Sequence, residues 1–212
     1  MVRRLCLAAV ALYCCIACQG NTTVGDPATS TPVEAIWSVQ ELDFHFQATH
    51  AYYTCGGLTD KIQRILLAVG ARPNLSVRMH CPASPLITSA HVRIVLTTPV
   101  RATAENVRKA TTFDSRERLA ARLLKVRLPT AADLEHFPAE WRDVAFSRGD
   151  LVRLEPGDCE LMTQLREQVF TKLALRMSER PPRCATTGTR ILPDYRVVAL
   201  MPARRTSVAS AP

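Results

Sequence analysis

No stretch of the 212 residues is apolar for the roughly twenty positions that a membrane-crossing helix needs. The apolar run from Leu5 to Ala17 holds about thirteen residues and is too short to span a bilayer. Catalytic signatures are equally scarce. There is no G-x-S-x-G, which excludes the nucleophile elbow of the α/β-hydrolases. Neither G-x-x-x-x-G-K-[ST] nor G-x-G-x-x-G occurs, so no nucleotide cradle is supported. Beyond residue 18 no C-x-x-C pair exists, and the spacing of a structural zinc site is missing. What remains is an ordinary globular composition, 47% hydrophobic and 22% charged. On a prior of about 100–200 residues per domain, that composition points to one domain.

Arg3 and Arg4 ahead of the apolar run give residues 1–18 the form of a signal peptide. Cys15-Ile16-Ala17-Cys18 resembles the bacterial lipoprotein box, in which a small residue precedes the cysteine that is lipidated. The position three before that cysteine is usually aliphatic, and here it is Cys15. Lipidation of Cys18 and ordinary cleavage after Ala17, Cys18 or Gly20 therefore both stay open. Residues 19–34 are rich in Thr, Ser, Pro and Gly and read as a flexible tether. The expected location is outside the cytoplasm, periplasmic or anchored to the outer membrane. Without the leader, 25 basic face 19 acidic side chains, a net charge of about +6. Such a balance suits an anionic surface, such as lipid headgroups or cell-wall polymer, or an envelope protein. An exported chain does not meet genomic DNA, so nucleic acid is not an expected partner.

Residues 35–202 read as the folded domain, with an insertion at 101–138 and a disordered tail at 203–212. Leu42, Phe44, Phe46 and Ala48 alternate with polar neighbours, the period of a strand with one wet face. Trp37 and Val39 have the opposite parity, which predicts a bulge near Gln40. An amphipathic helix follows from Gly57 to Val69, with Asp60, Lys61, Gln63 and Arg64 outside and Gly70 as its stop. Strands are predicted at Ser76–Cys81 and His91–Thr97, so the first half is β-α-β-β. The second half repeats the plan. A strand from Trp141 to Ser147 precedes a helix capped by Asp158, whose apolar stripe is Leu161, Leu165, Val169 and Leu173. Strand signals are weak from Leu175 to Cys184, and Tyr195–Met201 is the last strand. The fold class is α+β: a two-layer sandwich of two β-α-β-β halves on a mainly antiparallel sheet, with a helical insertion between them.

Four cysteines lie beyond the leader: Cys55, Cys81, Cys159 and Cys184. Two pairs of nearly equal spacing each bracket a helix and the segment that follows. A helix of about 14 residues and the chain returning from it cover similar distances, roughly 20 Å, which brings the second cysteine back beside the first. The expected disulfides are Cys55–Cys81 and Cys159–Cys184, each stabilising by about 3 kcal/mol in the chain-entropy model. Buried thiols are the alternative.

The motifs Tyr52-Tyr53-x-Cys55, Gly70-Ala71-Arg72 with Cys81 behind it, and Gly157-Asp158-Cys159-Glu160-Leu161 resemble small exported bacterial proteins of uncharacterised function. The resemblance covers scattered positions from Trp37 to Cys184 and leaves out the insertion. It implies an exported bacterial domain and no particular chemistry.

Two constellations are candidates for function. In the insertion, Asp114-Ser115-Arg116-Glu117 opens a helix as a capping box would. Leu119, Ala120, Leu123 and Leu124 gather on one side of it and Arg118, Arg122 and Lys125 on another, a basic face for an anionic partner. The bland alternative is a solvated helix. The second constellation is His45, His80 and His91. Pairing the strands across Pro82–Ser89 sets His80 opposite His91 and Arg78 opposite Arg93, with His45 and Asp43 within reach. Three imidazoles and a carboxylate suit Zn²⁺ or Cu²⁺, although solvated surface histidines are the commoner outcome and the arginines would repel a cation. The leading expectation is an exported, envelope-associated or periplasmic, non-enzymatic binding or assembly protein without a resident cofactor. The alternative is an exported metal-binding protein or metal-dependent hydrolase using the three histidines.

Overall fold

The computed structural model describes residues 31–81, 85–146, 152, 154–177 and 195–204. The leader with Cys18, most of the tether, Cys184 and nearly all of the tail lie outside them. The elements run β1 (Val33–Gln47), α1 (Cys55–Ala68), β2 (Ser76–Met79), β3 (Ser89–Arg101), α2 (Ala104–Ala110), α3 (Ser115–Leu124), β4 (His136–Ala145), α4 (Cys159–Gln168), β5 (Leu175–Met177) and β6 (Arg196–Pro202). The β-α-β-β plan thus occurs twice, with α2 and α3 between the copies. Two helices, where one was expected, occupy the insertion.

The six strands form one antiparallel sheet in the order β2-β3-β1-β4-β6-β5. Taking β1, β2 and β3 as counterparts of β4, β5 and β6, the order is a palindrome. The halves meet where β1 pairs with β4, from Val33↔Ala139 to Ile36↔His136.

Burial explains why these segments are strands. Ile36, Leu42, Phe44 and Phe46 share one parity and are buried, while Glu41, Asp43, His45 and Gln47 face water. The bulge predicted near Gln40 is not formed, for β1 stays in unbroken register with β3 from Ala35↔Arg101 to Gln47↔Ser89. The parity change has another cause. Trp37 and Val39 lie on the sheet face away from the helices, where a small second cluster of Ala35, Ala139 and Leu200 is buried. Trp37 stacks on Phe137 with ring centroids 4.7 Å apart and receives the Arg72 guanidinium at 4.0 Å, and Val39 alone of this set remains open to solvent.

The main core lies on the helix side. Helix α1 contributes Leu58, Ile62, Ile65 and Leu66, and α4 contributes Leu161, Met162 and Leu165, followed by Val169 and Phe170. Helix α1 starts at Cys55, two residues before the expected Gly57, and Thr54 caps it, its hydroxyl accepting from Gly57 N at 3.0 Å. Gly70 ends the turn at φ +94°, and a Cβ there would sit 3.1 Å from the Leu200 carbonyl oxygen, so both conformation and space require glycine. The Cys55–Cys81 disulfide is formed across a Cα–Cα distance of 6.0 Å. Cys159 is also disulfide-bonded, while Cys184 lies outside the described residues.

Between β1 and α4 the structure solves a problem the sheet creates. Only four residues at the start of β1 pair with β4, which leaves the edge of its second half without a strand. Side chains of α4 take that place. The Gln168 amide accepts from His45 N and donates to His45 O, both at 2.9 Å. One turn earlier Gln164 does the same for Gln47, with Gln47 N donating at 2.8 Å. One turn earlier again, Glu160 accepts from Thr49 N and His50 N at 2.9 and 3.2 Å. Four helical residues rise about 6 Å and two strand residues about 6.7 Å, so the two repeats stay in step over this span.

Candidate interaction surface

Helix α3 forms for local reasons. Asp114 accepts from Glu117 N at 2.7 Å while the Glu117 carboxylate accepts from Asp114 N at 2.7 Å, the reciprocal capping box read from the sequence. Its far end closes on Lys125, which adopts the left-handed conformation at φ 54° that glycine usually fills. An ammonium there is favourable beside the negative end of the helix dipole.

The tertiary setting of α3 is unusual. None of its residues is buried, and Leu119, Leu123 and Leu124 are 57%, 75% and 73% exposed, with Val126 just beyond them at 61%. The stripe therefore has no core to cover. Successive helical residues turn by about 100°, so Leu119 and Leu123 form one ridge that Leu124 widens, and Arg118, Arg122 and Lys125 form an adjoining stripe. These three cations and Arg127 ring an open hollow of about 450 Å³, whose lining Ala121, Val126 and Leu128 complete.

Charge on this element is unbalanced. Both nearby carboxylates, Asp114 and Glu117, are engaged in the capping box. Arg127 pairs with Asp133, whose carboxyl is held below its usual range by the Thr130 hydroxyl and backbone N–H and by Arg127. Arg116, Arg118, Arg122 and Lys125 have no ion-pair partner among the described residues.

The three histidines lie in the first half of the fold, His45 on β1, His91 on β3 and His80 just after β2. His45 and His91 are direct cross-strand partners, and Arg78 pairs with Arg93 as expected. The β2–β3 register ends at Met79↔Val92, one residue short of the expected pairing of His80 with His91. His91 Nε2 lies 3.9 Å from Asp43 Oδ1, both side chains largely exposed, and Arg93 forms an ion pair with Glu41. Among the described residues no three His, Cys, Asp or Glu side chains are grouped so as to hold a metal ion.

One polar cluster escaped the sequence. Lys61, expected outside α1, turns inward: its Nζ lies 2.8 Å from Asp158 Oδ2 and 3.4 Å from Glu155 Oε2. Asp158, 1% exposed, does not cap α4 with its side chain; it accepts from Glu155 N at 2.6 Å and from the Tyr53 hydroxyl at 2.7 Å. Burial, and then the hydrogen bond to Asp158 and its charge, push the Tyr53 hydroxyl well above the usual tyrosine range. Tyr53 and Asp158 belong to the two cysteine motifs, Tyr53-x-Cys55 and Asp158-Cys159, so those motifs carry one of the contacts that join the halves. The signal available was their shared position beside each half-cystine.

No family model matches the chain, and no curated protein or solved structure matches it either. No helix among the described residues is long and apolar enough to cross a membrane.

Proposed function

We propose that this chain is an exported, envelope-associated, non-enzymatic binding or assembly protein that makes its contact through α3. The observation that supports this reading is the pairing of exposed leucines with cations that have no ion-pair partner among the described residues, on a helix none of whose residues is buried. The rest of the domain serves as a rigid mount: two halves locked by Lys61, Asp158 and Tyr53, a sheet edge closed by α4, and the Cys55–Cys81 disulfide. The leader-like residues 1–18 and the disulfide fit an oxidising compartment. Lipidation at Cys18 and a Cys159–Cys184 bond belong to the same proposal.

The test is fractionation of a bacterial host expressing the chain with its own leader and with Cys18→Ser, which removes any lipid anchor. The protein should sediment with the envelope at low salt. The triple variant Arg118→Gln, Arg122→Gln, Lys125→Gln should move to the soluble periplasmic fraction. Retention in the cytoplasm, or an envelope association indifferent to the triple variant, would overturn the reading.

A further inference from the structure

We infer that α3 docks on an anionic phospholipid bilayer, its C-terminal turn entering the headgroup layer while the neighbouring cations hold lipid phosphates. This rests on the proposed envelope contact and names its partner. Two observations join here. The first is the exposed apolar tip: Leu123, Leu124 and Val126 cluster at the end of the helix and are 61–75% exposed. The second is the hollow of about 450 Å³ ringed by Arg118, Arg122, Lys125 and Arg127. An acidic polymer would use the hollow and leave the leucines in water. A purely apolar partner would use the leucines and strand the cations. A bilayer of anionic lipid satisfies both at once, because phosphates and acyl chains are stacked at adjoining depths.

The geometry also sets the depth. Arg116 lies two turns before Leu123 on the same side of α3, so full-length burial of the helix would drag a guanidinium into the acyl region. Contact is therefore shallow and tip-first, with Arg118, Arg122 and Lys125 extending their stems along the apolar surface and their charges at phosphate level. The net charge of the segment from Asp114 to Leu128 is +3; Asp114 and Glu117 are tied into the cap and Asp133 pairs with Arg127, which leaves Arg118, Arg122 and Lys125 to meet the phosphates.

The experiment is co-sedimentation of the full chain carrying Cys18→Ser with vesicles of phosphatidylcholine alone or mixed with phosphatidylglycerol. Binding should need phosphatidylglycerol and should weaken as salt is raised. Each cation near an anionic surface contributes roughly a fivefold change in partitioning, so the triple glutamine variant should lose at least about tenfold. A second variant, Leu123→Ser with Leu124→Ser, should lose about as much at unchanged charge and unchanged circular dichroism, since neither side chain contributes to a core. Failure to bind phosphatidylglycerol vesicles overturns the inference, as does binding that ignores the serine variant. If vesicles fail while envelope association still depends on the three cations, the partner is an acidic envelope polymer or protein; the bilayer inference then falls and the proposed function stands.

Discussion

Lys61 and Asp158, 97 positions apart, meet at 2.8 Å in the interior between α1 and the start of α4. Neither is well hydrated, for their side chains are 17% and 1% exposed. Removing one member of such a pair strands the other charge. Lys61→Met should lower the unfolding free energy by about 3–5 kcal/mol. The double variant Lys61→Met with Asp158→Asn should recover much of the loss, because no buried charge is left unpaired. Urea denaturation midpoints of the three proteins check both statements.

Alkali should find the same cluster. The Tyr53 hydroxyl is raised above its unfolded value by burial and by Asp158, so the folded state holds its proton more tightly than the unfolded chain does. The stability it contributes is fully present below about pH 10, the ordinary tyrosine value, and is lost as pH rises towards the folded value. Stability should decline above about pH 10, and Tyr53→Phe should shallow that decline while costing about 1.5–3 kcal/mol near neutrality. Tyr195, also raised, mainly by burial, contributes in the same sense, so some slope should survive. Denaturation series at neutral and alkaline pH measure the difference.

The clasp of α4 on β1 has two consequences. Gln164→Ala and Gln168→Ala each free one backbone N–H and one C=O of an exposed strand edge. Each should cost about 1 kcal/mol, since water can partly replace the lost bonds. Together they should expose Gln47 and His45 as a template for another chain. Faster amide exchange at these two residues and concentration-dependent association of the double variant are the readouts.

Lys125 sets stability against contact. A lysine at φ 54° is held where glycine is easier, by about 1 kcal/mol, while its charge gains a few tenths from the helix dipole. Lys125→Gly should therefore leave stability equal or slightly higher while weakening binding to anionic vesicles several-fold. Thermal unfolding and vesicle co-sedimentation on the same preparation separate the two effects.

Much of the fold was legible because its signals are local. Alternation in β1, the stripe of α1 and the matched cysteine spacings together expose a repeated β-α-β-β plan. The failures share a long-range cause. Trp37 and Val39 mimic a bulge because Ala35, Ala139 and Leu200, which occupy the other sheet face together, lie far apart in sequence. Lys61 flanks the buried stripe, three residues after Leu58 and four before Ile65, but its charge reads as solvated, and its partner belongs to the other half. Helix α3 is the reverse case: its wheel is legible to the residue, but nothing local tells whether the leucines find a core.

Strand length falls from the middle of the sheet to its margins, from 15 residues in β1 and 13 in β3 to 4 in β2 on one side, and from 10 in β4 through 7 in β6 to 3 in β5 on the other. Among the described residues the outermost strands are thus short, which gives a newcomer few rungs to pair with on either of them. Copies of the described sheet meeting edge to edge would find little strand on either rim to extend.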